Sequence, residues 1–210
     1  MSEYSIPTLL AHLPESSDQV TIVNPSTGKK IYDLPQLSVA QVAKAVADAR
    51  LAQPAWAKST LKERSQALFR LHDLILKNQN NLMDLLQLET GKARSHAFEE
   101  IAGSLGSARY FAKIAPKTLK TQKTIAGVPL LTQSYVMYAP VGVVGVITPW
   151  NYPLALQMLD VLPAIVAGNT VIQKADNQTA LVSLYARKLA IEAGIPESVW
   201  TIVVGDGASV

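Results

Sequence analysis

The chain has 210 residues, 49% apolar and 17% charged, a composition that builds a packed core and excludes a disordered protein. Its net charge of +3 is dispersed except for Lys113, Lys117, Lys120 and Lys123, which carry no interleaved aromatics, so a solvated face is expected there and nucleic acid is not an expected partner. The absence of cysteine excludes disulfides, thiolate metal sites and a thiol nucleophile within these residues, and His12, His72 and His96 lack metal-ligand spacing, so no metal is expected.

The first elements are short. Residues 20–35 alternate around "NPSTGK", which predicts a strand pair about a turn. Ser38 is placed to cap a helix whose apolar stripe is Val39, Val42, Val46 and Ala49. "TLKE", Thr60 to Glu63, is a capping box opening a second helix with Leu61, Leu68, Leu71 and Ile75 inward. A third helix follows over "NLMDLLQLETGK" and stops near Gly91. A fourth is expected over 95–115, ended by Pro116. Residues 117–138 are rich in Thr and β-branched residues, with Gly127 and Pro129 marking a turn, and read as a hairpin or long ribbon.

From residue 139 the pattern changes. The strand "VGVVGVI", the apolar helix "LALQMLDVLPAIVAGN", the strand "TVIQK", the amphipathic helix "TALVSLYARKLAIEAG" and the strand "WTIVVGDG" follow one another. That order is the βαβ signature of a parallel sheet, here with strands apolar throughout and covered by helices on both faces. The fold class is therefore α/β, with a Rossmann-like parallel sheet and an extended hairpin. Three units are expected: strands and helices over 1–117, the hairpin over 118–138, and the first βαβαβ over 139–210. Only three strands are present and the sequence ends in the glycine turn "GDGASV", so a part of a longer protein is expected. Residues 135–172 are very apolar, but Pro140, Pro149, Pro153, Pro163 and Asp160 divide them below the length of a bilayer span. The first residues lack the charged start and apolar run of a secretory signal, and the reading is of a cytoplasmic protein with no membrane partner.

Ligands of open parallel sheets bind beyond the carboxyl ends of the strands. The first strand leads into Thr148, Pro149, Trp150 and Asn151, the second into Lys174, Ala175, Asp176 and Asn177, the third into Gly205, Asp206 and Gly207. One rim should carry all three groups. Lys174 offers a cation for ribose or phosphate, Asn177 neutral donors and acceptors, and Gly205 and Gly207 a close backbone approach to a pyrophosphate. Asn151, framed by Pro149 and Pro153, offers a neutral N–H donor to an oxygen that gains negative charge, and equally offers a cap to the helix that follows.

Several other residues are read as structural. "AGSLG", Ala102 to Gly106, imitates a nucleophile elbow but lies in a helical pattern. Glu99 and Glu100 are adjacent and so cannot share a helix face. Glu89 falls at a helix end, and Trp56 is expected in the core.

The segments "NPSTGKKI", "ETGK", "PVGVVGVITPWNYPL", "PAIVAGNTVIQKADNQTAL" and "AGIPESVWTIVVGDG" resemble, in this order, the NAD(P)-dependent aldehyde dehydrogenases from about residue 20 onward. "QKADNQTAL" looks most like the succinate-semialdehyde branch of that family. The resemblance implies oxidation of a small aldehyde to its acid through a thiohemiacetal, with NADP, or NAD, as cofactor. It implies that Asn151 binds the aldehyde oxygen as the oxyanion forms. Ile147, Thr148, Pro149 and Trp150 would line the cofactor, with Lys174 on the adenosine ribose and Ala175, Asp176, Asn177 and Gly207 beside it. Asn177 falls where many NAD-preferring members carry glutamate; a neutral amide there would not repel a 2′-phosphate, which leans toward NADP, while Asp176 leans the other way. Residues 120–138 match strands that join subunits, which implies a homodimer or homotetramer. The thiol nucleophile and the glutamate base of the family lie beyond the glycine turn in family order, so this chain alone is expected to be inactive. The alternative reading is a non-catalytic nucleotide-binding or assembly protein derived from the same family.

Overall fold

The computed structural model describes residues 5–128, 130–208 and 210. Its elements run α1 (Ile6–Leu10), β1 (Gln19–Val23), β2 (Lys30–Pro35), α2 (Val39–Lys58), α3 (Leu61–Lys77), α4 (Gln79–Thr90) and α5 (Arg94–Thr118). Then come β3 (Gln122–Thr124), β4 (Ser134–Val136), β5 (Val143–Ile147), α6 (Pro153–Val166), β6 (Thr170–Lys174), α7 (Ala180–Glu192) and β7 (Trp200–Val203). Strands β1 and β2 pair antiparallel, as do β3 and β4, while β5, β6 and β7 form a parallel sheet in that order.

Local chemistry explains the element ends. Ser38 and Gln41 form a reciprocal capping box at the start of α2, and Thr60 and Glu63 do the same at α3. Gly91 ends α4 in the left-handed conformation, with φ 69°. A Cβ at Gly91 would lie 2.9 Å from Ser26 Oγ, so the β1–β2 turn packs against this helix end as well. Gly168 and Gly194 follow α6 and α7 with φ 95° and 92°.

The parallel sheet is covered on both faces at its centre. Side chains alternate along a strand, so Thr170 and Gln173 of β6 point to opposite faces. The Thr170 hydroxyl donates to Ala49 O of α2, and Gln173 Nε2 donates to Gln157 Oε1 of α6. Helix α2 therefore covers one face, with α6 and α7 on the other. Helices α3, α4 and α5 pack outside α6 and α7. Arg64 of α3 ties α2 to α6, donating through Nε to Val166 O at 2.8 Å and through Nη1 to the carbonyls of Trp56, Ala57 and Ser59. A buried guanidinium thus satisfies carbonyls at two helix C-termini, where the helix dipole favours a cation. Trp56 adds a bond from Nε1 to Ile165 O, as a core anchor should.

Four expectations need correction. Pro116 lies within the last turn of α5, which continues to Thr118. A proline removes one N–H but does not prevent the next bond, which Leu119 N makes to Ala115 O at 2.9 Å. Val39 is exposed, and the stripe of α2 that packs on the core begins at Val42. Helix α7 has its residues buried on nearly all sides, because α1, α3 and α4 enclose the side away from the sheet. Strand β5, read as covered on both faces, exposes Gly145 and Ile147 at the sheet edge. The hairpin of residues 117–138 is present as short, largely exposed strands, and Pro129 of its expected turn lies outside the described residues. Among the described residues no helix is long and apolar enough to cross a membrane.

Candidate functional site

The sheet register sets the rim. Ile147 of β5 lies opposite Lys174 of β6, and Lys174 lies opposite Val203 of β7. The three strand tips are therefore level, and their following loops leave the sheet at one edge. Behind the tips is a buried amide network. Gln173 Nε2 donates to Thr148 Oγ1 at 2.9 Å, and Trp200 Nε1 donates to Gln173 Oε1 at 2.9 Å. Thr148 N donates to Lys174 O and Ala175 N to Val203 O, which extends the ladder one residue past each strand. The side chains of Thr148 and Ala175 are buried, so these two positions can offer the rim no more than their backbone.

The second and third loops are joined. Asn177 accepts from Gly205 N at 3.1 Å through Oδ1 and donates to Gln36 Oε1 at 3.0 Å through Nδ2. Its amide thus braces the glycine turn, a role that its spacing in sequence did not reveal. Asp176 accepts from Gln178 N at 2.9 Å and opens the short 3-10 turn before α7. Lys174 is half-buried, and its side chain makes no hydrogen bond or ion pair among the described residues, so its ammonium is free for an anion or hydroxyl. Gly207 is exposed.

Asn151 stands beyond the β5 tip and is exposed. Its Oδ1 accepts from Tyr152 N at 3.1 Å, which leaves Nδ2 without a partner among the described residues. It does not cap α6: Tyr152 occupies the cap position, and the helix donors are taken by another residue. Leu154 N and Ala155 N donate to Glu100 Oε2 at 2.9 and 3.1 Å. Glu100 projects from α5, is fully buried, and forms an ion pair with Lys92. Lys92 Nζ also donates to Asn151 O at 2.8 Å and lies 4.6 Å from the centre of the Tyr152 ring. Trp150 and Ile147 flank this segment at 59% and 82% exposure.

Helix α7 is closed in the same way. Leu181 N and Val182 N donate to Glu89 Oε1 and Oε2 at 2.9 and 3.0 Å, and the Tyr32 hydroxyl donates to Glu89 Oε1 at 2.7 Å. Burial pushes the Glu89 carboxyl up to about 7, against the pull of these three donors. Burial and the neighbouring Glu89 raise the Tyr32 phenol as well, so it stays a donor. Sequence reasoning read Glu89 only as a helix end and Glu100 only as unpaired with Glu99. A signal was present: Glu89 follows Leu82, Leu85 and Leu86 at helical spacing, and Glu100 lies three residues from Ala97 and four from Ser104. A carboxylate on an inward stripe has to be paired or capped. His12, His72 and His96 do not converge, and no group of metal-binding side chains exists among the described residues.

The chain belongs to the aldehyde dehydrogenase family, whose model matches residues 12–210. A Mycobacterium tuberculosis protein with the provisional name succinate-semialdehyde dehydrogenase (NADP(+)) 2 is 43% identical over 190 residues, which is 90% of this chain and 37% of that protein. The crystal structure of succinate-semialdehyde dehydrogenase from Burkholderia pseudomallei superposes with a TM-score of 0.87 at 30% identity, covering 91% of this chain and 39% of the other. A structure named as PnpE in complex with nicotinamide adenine dinucleotide superposes with a TM-score of 0.86 at 31% identity, covering 92% and 39%. The chain thus spans little more than a third of the length of the curated relatives it matches.

Proposed function

We propose that these residues form the amino-terminal part of an NAD(P)-dependent aldehyde dehydrogenase that oxidises succinate semialdehyde to succinate. The observation that carries the reading is Asn151, an exposed carboxamide with a free N–H pair at a strand tip level with two others. A neutral donor in that place stabilises a carbonyl oxygen as it becomes an oxyanion and needs no proton transfer to do so. The free Lys174, with the exposed Gly207 beyond the braced Gly205, suits a dinucleotide, whose nicotinamide would supply the hydride acceptor. Asn177 brings no negative charge to the rim, and the mycobacterial relative carries NADP in its name, so NADP is favoured over NAD.

The 210 residues contain no cysteine, so the thiol that attacks the aldehyde has to come from a longer chain, and these residues alone are inactive in this reading. The units of residues 1–117, 118–138 and 139–210 then act as helical support, subunit contact and nucleotide shelf. The exposed Tyr135, Val136, Met137 and Tyr138 favour the hairpin as the contact between subunits of a dimer or tetramer. In the full encoded protein, Asn151→Ala should lower kcat about a hundredfold or more with succinate semialdehyde. A loss under threefold sinks the oxyanion reading. The same assay run with NADP and NAD decides the cofactor, and sedimentation of a hairpin-charged variant decides the assembly.

A further inference from the structure

We propose that Lys92 is a positioning residue for the oxyanion donor, acting through the backbone of Asn151 with Glu100 as its fixed counter-charge. The inference rests on the reading of Asn151 given above. Five residues, 148–152, connect the last ladder position of β5 to the first of α6. The near end is held by Thr148, bonded to Lys174 O and Gln173. The far end is held by Lys92, and the three protons of its ammonium have three acceptors. One is Glu100 Oε1, the second is Asn151 O at 2.8 Å, and the third is the face of the Tyr152 ring at 4.6 Å.

The position of the 151–152 peptide decides where the donor points. Asn151 Oδ1 is folded back onto Tyr152 N, so the carboxamide is oriented by the same peptide that Lys92 grips. A displacement of the carbonyl moves Nδ2 with it, and oxyanion donors work only within a narrow range of distance. Glu100 makes the grip rigid. Its carboxylate is fully buried, is fixed by two N–H groups of α6, and gives the ammonium one place to sit. The Lys92 side chain is only 12% exposed and its charge is already paired, which argues against a direct contact with the substrate carboxylate. Gly91 makes this reach possible: the chain reverses there in the left-handed conformation, so the next residue turns from α4 toward α6.

The test is steady-state kinetics of the full encoded protein, with Lys92→Met and Lys92→Arg made alone and in the Asn151→Ala background. Lys92→Met should lower kcat about tenfold or more with KM changed less than threefold, and Lys92→Arg should restore most of the rate. In the Asn151→Ala background the same substitution should cost less than twofold, because the donor it positions is gone. Equal losses in both backgrounds, or a loss confined to KM, overturn the inference. Asn151→Ala costing under threefold overturns the oxyanion reading and this inference with it, and that outcome is read from a different variant. Should Lys92→Met fail to fold, because it strands the Glu100 carboxylate, Lys92→Met with Glu100→Gln removes the stranded charge and carries the same comparison. Amide exchange at Asn151 and Tyr152 should rise in that double variant, and unchanged exchange counts against the grip.

Discussion

Glu89 makes the stability of the fold depend on pH in a definite direction. The carboxyl is fully buried between α4, β2 and α7, and burial raises it from the ordinary 4.5 to about 7. Three donors oppose the rise, from Tyr32, Leu181 and Val182, while the negative charge of Asp176 adds to it. Between the two values the unfolded chain has released a proton that the folded chain keeps. The unfolded state binds fewer protons there, so stability falls as pH increases. At about 1.4 kcal/mol per pH unit, Glu89 accounts for about 3 kcal/mol of stability present below pH 4.5 and lost by pH 7.

Glu89→Gln removes the titration but keeps the shape. One of its two terminal atoms becomes a donor facing an α7 N–H, so at acid pH the variant should be less stable by about 1–3 kcal/mol. Urea unfolding of both proteins from pH 5 to 8 gives the comparison. The parent should lose stability across that range by about 2 kcal/mol or more relative to the variant, and the two curves should converge toward neutral pH. Parallel curves would mean that the three donors outweigh burial and hold the carboxylate ionised throughout, which refutes the reasoning.

Two further substitutions test the packing around the site. Gly91→Ala places a Cβ at φ 69°, 2.9 Å from Ser26 Oγ, and should destabilise by about 1–2 kcal/mol in thermal melts, with the β1–β2 turn becoming sensitive to protease. Arg64→Met leaves carbonyls at the ends of α2 and α6 unsatisfied and should cost about 2–4 kcal/mol of unfolding free energy; a loss below 0.5 would deny that this side chain joins the two helices.

The parts of the fold legible in the sequence were those set by local chemistry. Ser38, Thr60 and Gly91 mark helix ends through bonds made within a few residues, and the order of apolar strands and helices after residue 139 dictates a parallel sheet. The level tips follow from that topology. Contacts far apart in sequence were not legible. Nothing near Glu89 announces Leu181, 92 residues away, and nothing in "TPWNYPL" announces Lys92 or Glu100. Strand β5 misled because an apolar run gives no sign of which face a neighbouring element covers. Asn177 was read as facing a ligand because it follows a strand, whereas both ends of its amide hold protein atoms.

Glu89 and Glu100 also bear on how the rim handles charge. A helix that follows a strand of a parallel sheet ordinarily offers its first N–H groups to an anion. Here the donors at both such helices are taken: Leu154 and Ala155 by Glu100, Leu181 and Val182 by Glu89. An anion brought to α6 or α7 would have to displace a buried carboxylate and leave its charge unpaired, which costs several kcal/mol. Among the described residues the rim therefore has its free cation in Lys174, at the tip of the central strand, and its open backbone in the turn containing Gly207, beyond β7. At the opposite side, beyond β5, the charges of Lys92 and Glu100 cancel, and the donor left exposed is the neutral amide of Asn151. The shelf thus carries a free cation on one side and an uncharged donor on the other, the division that the proposed reading requires between a dinucleotide phosphate and a carbonyl oxygen.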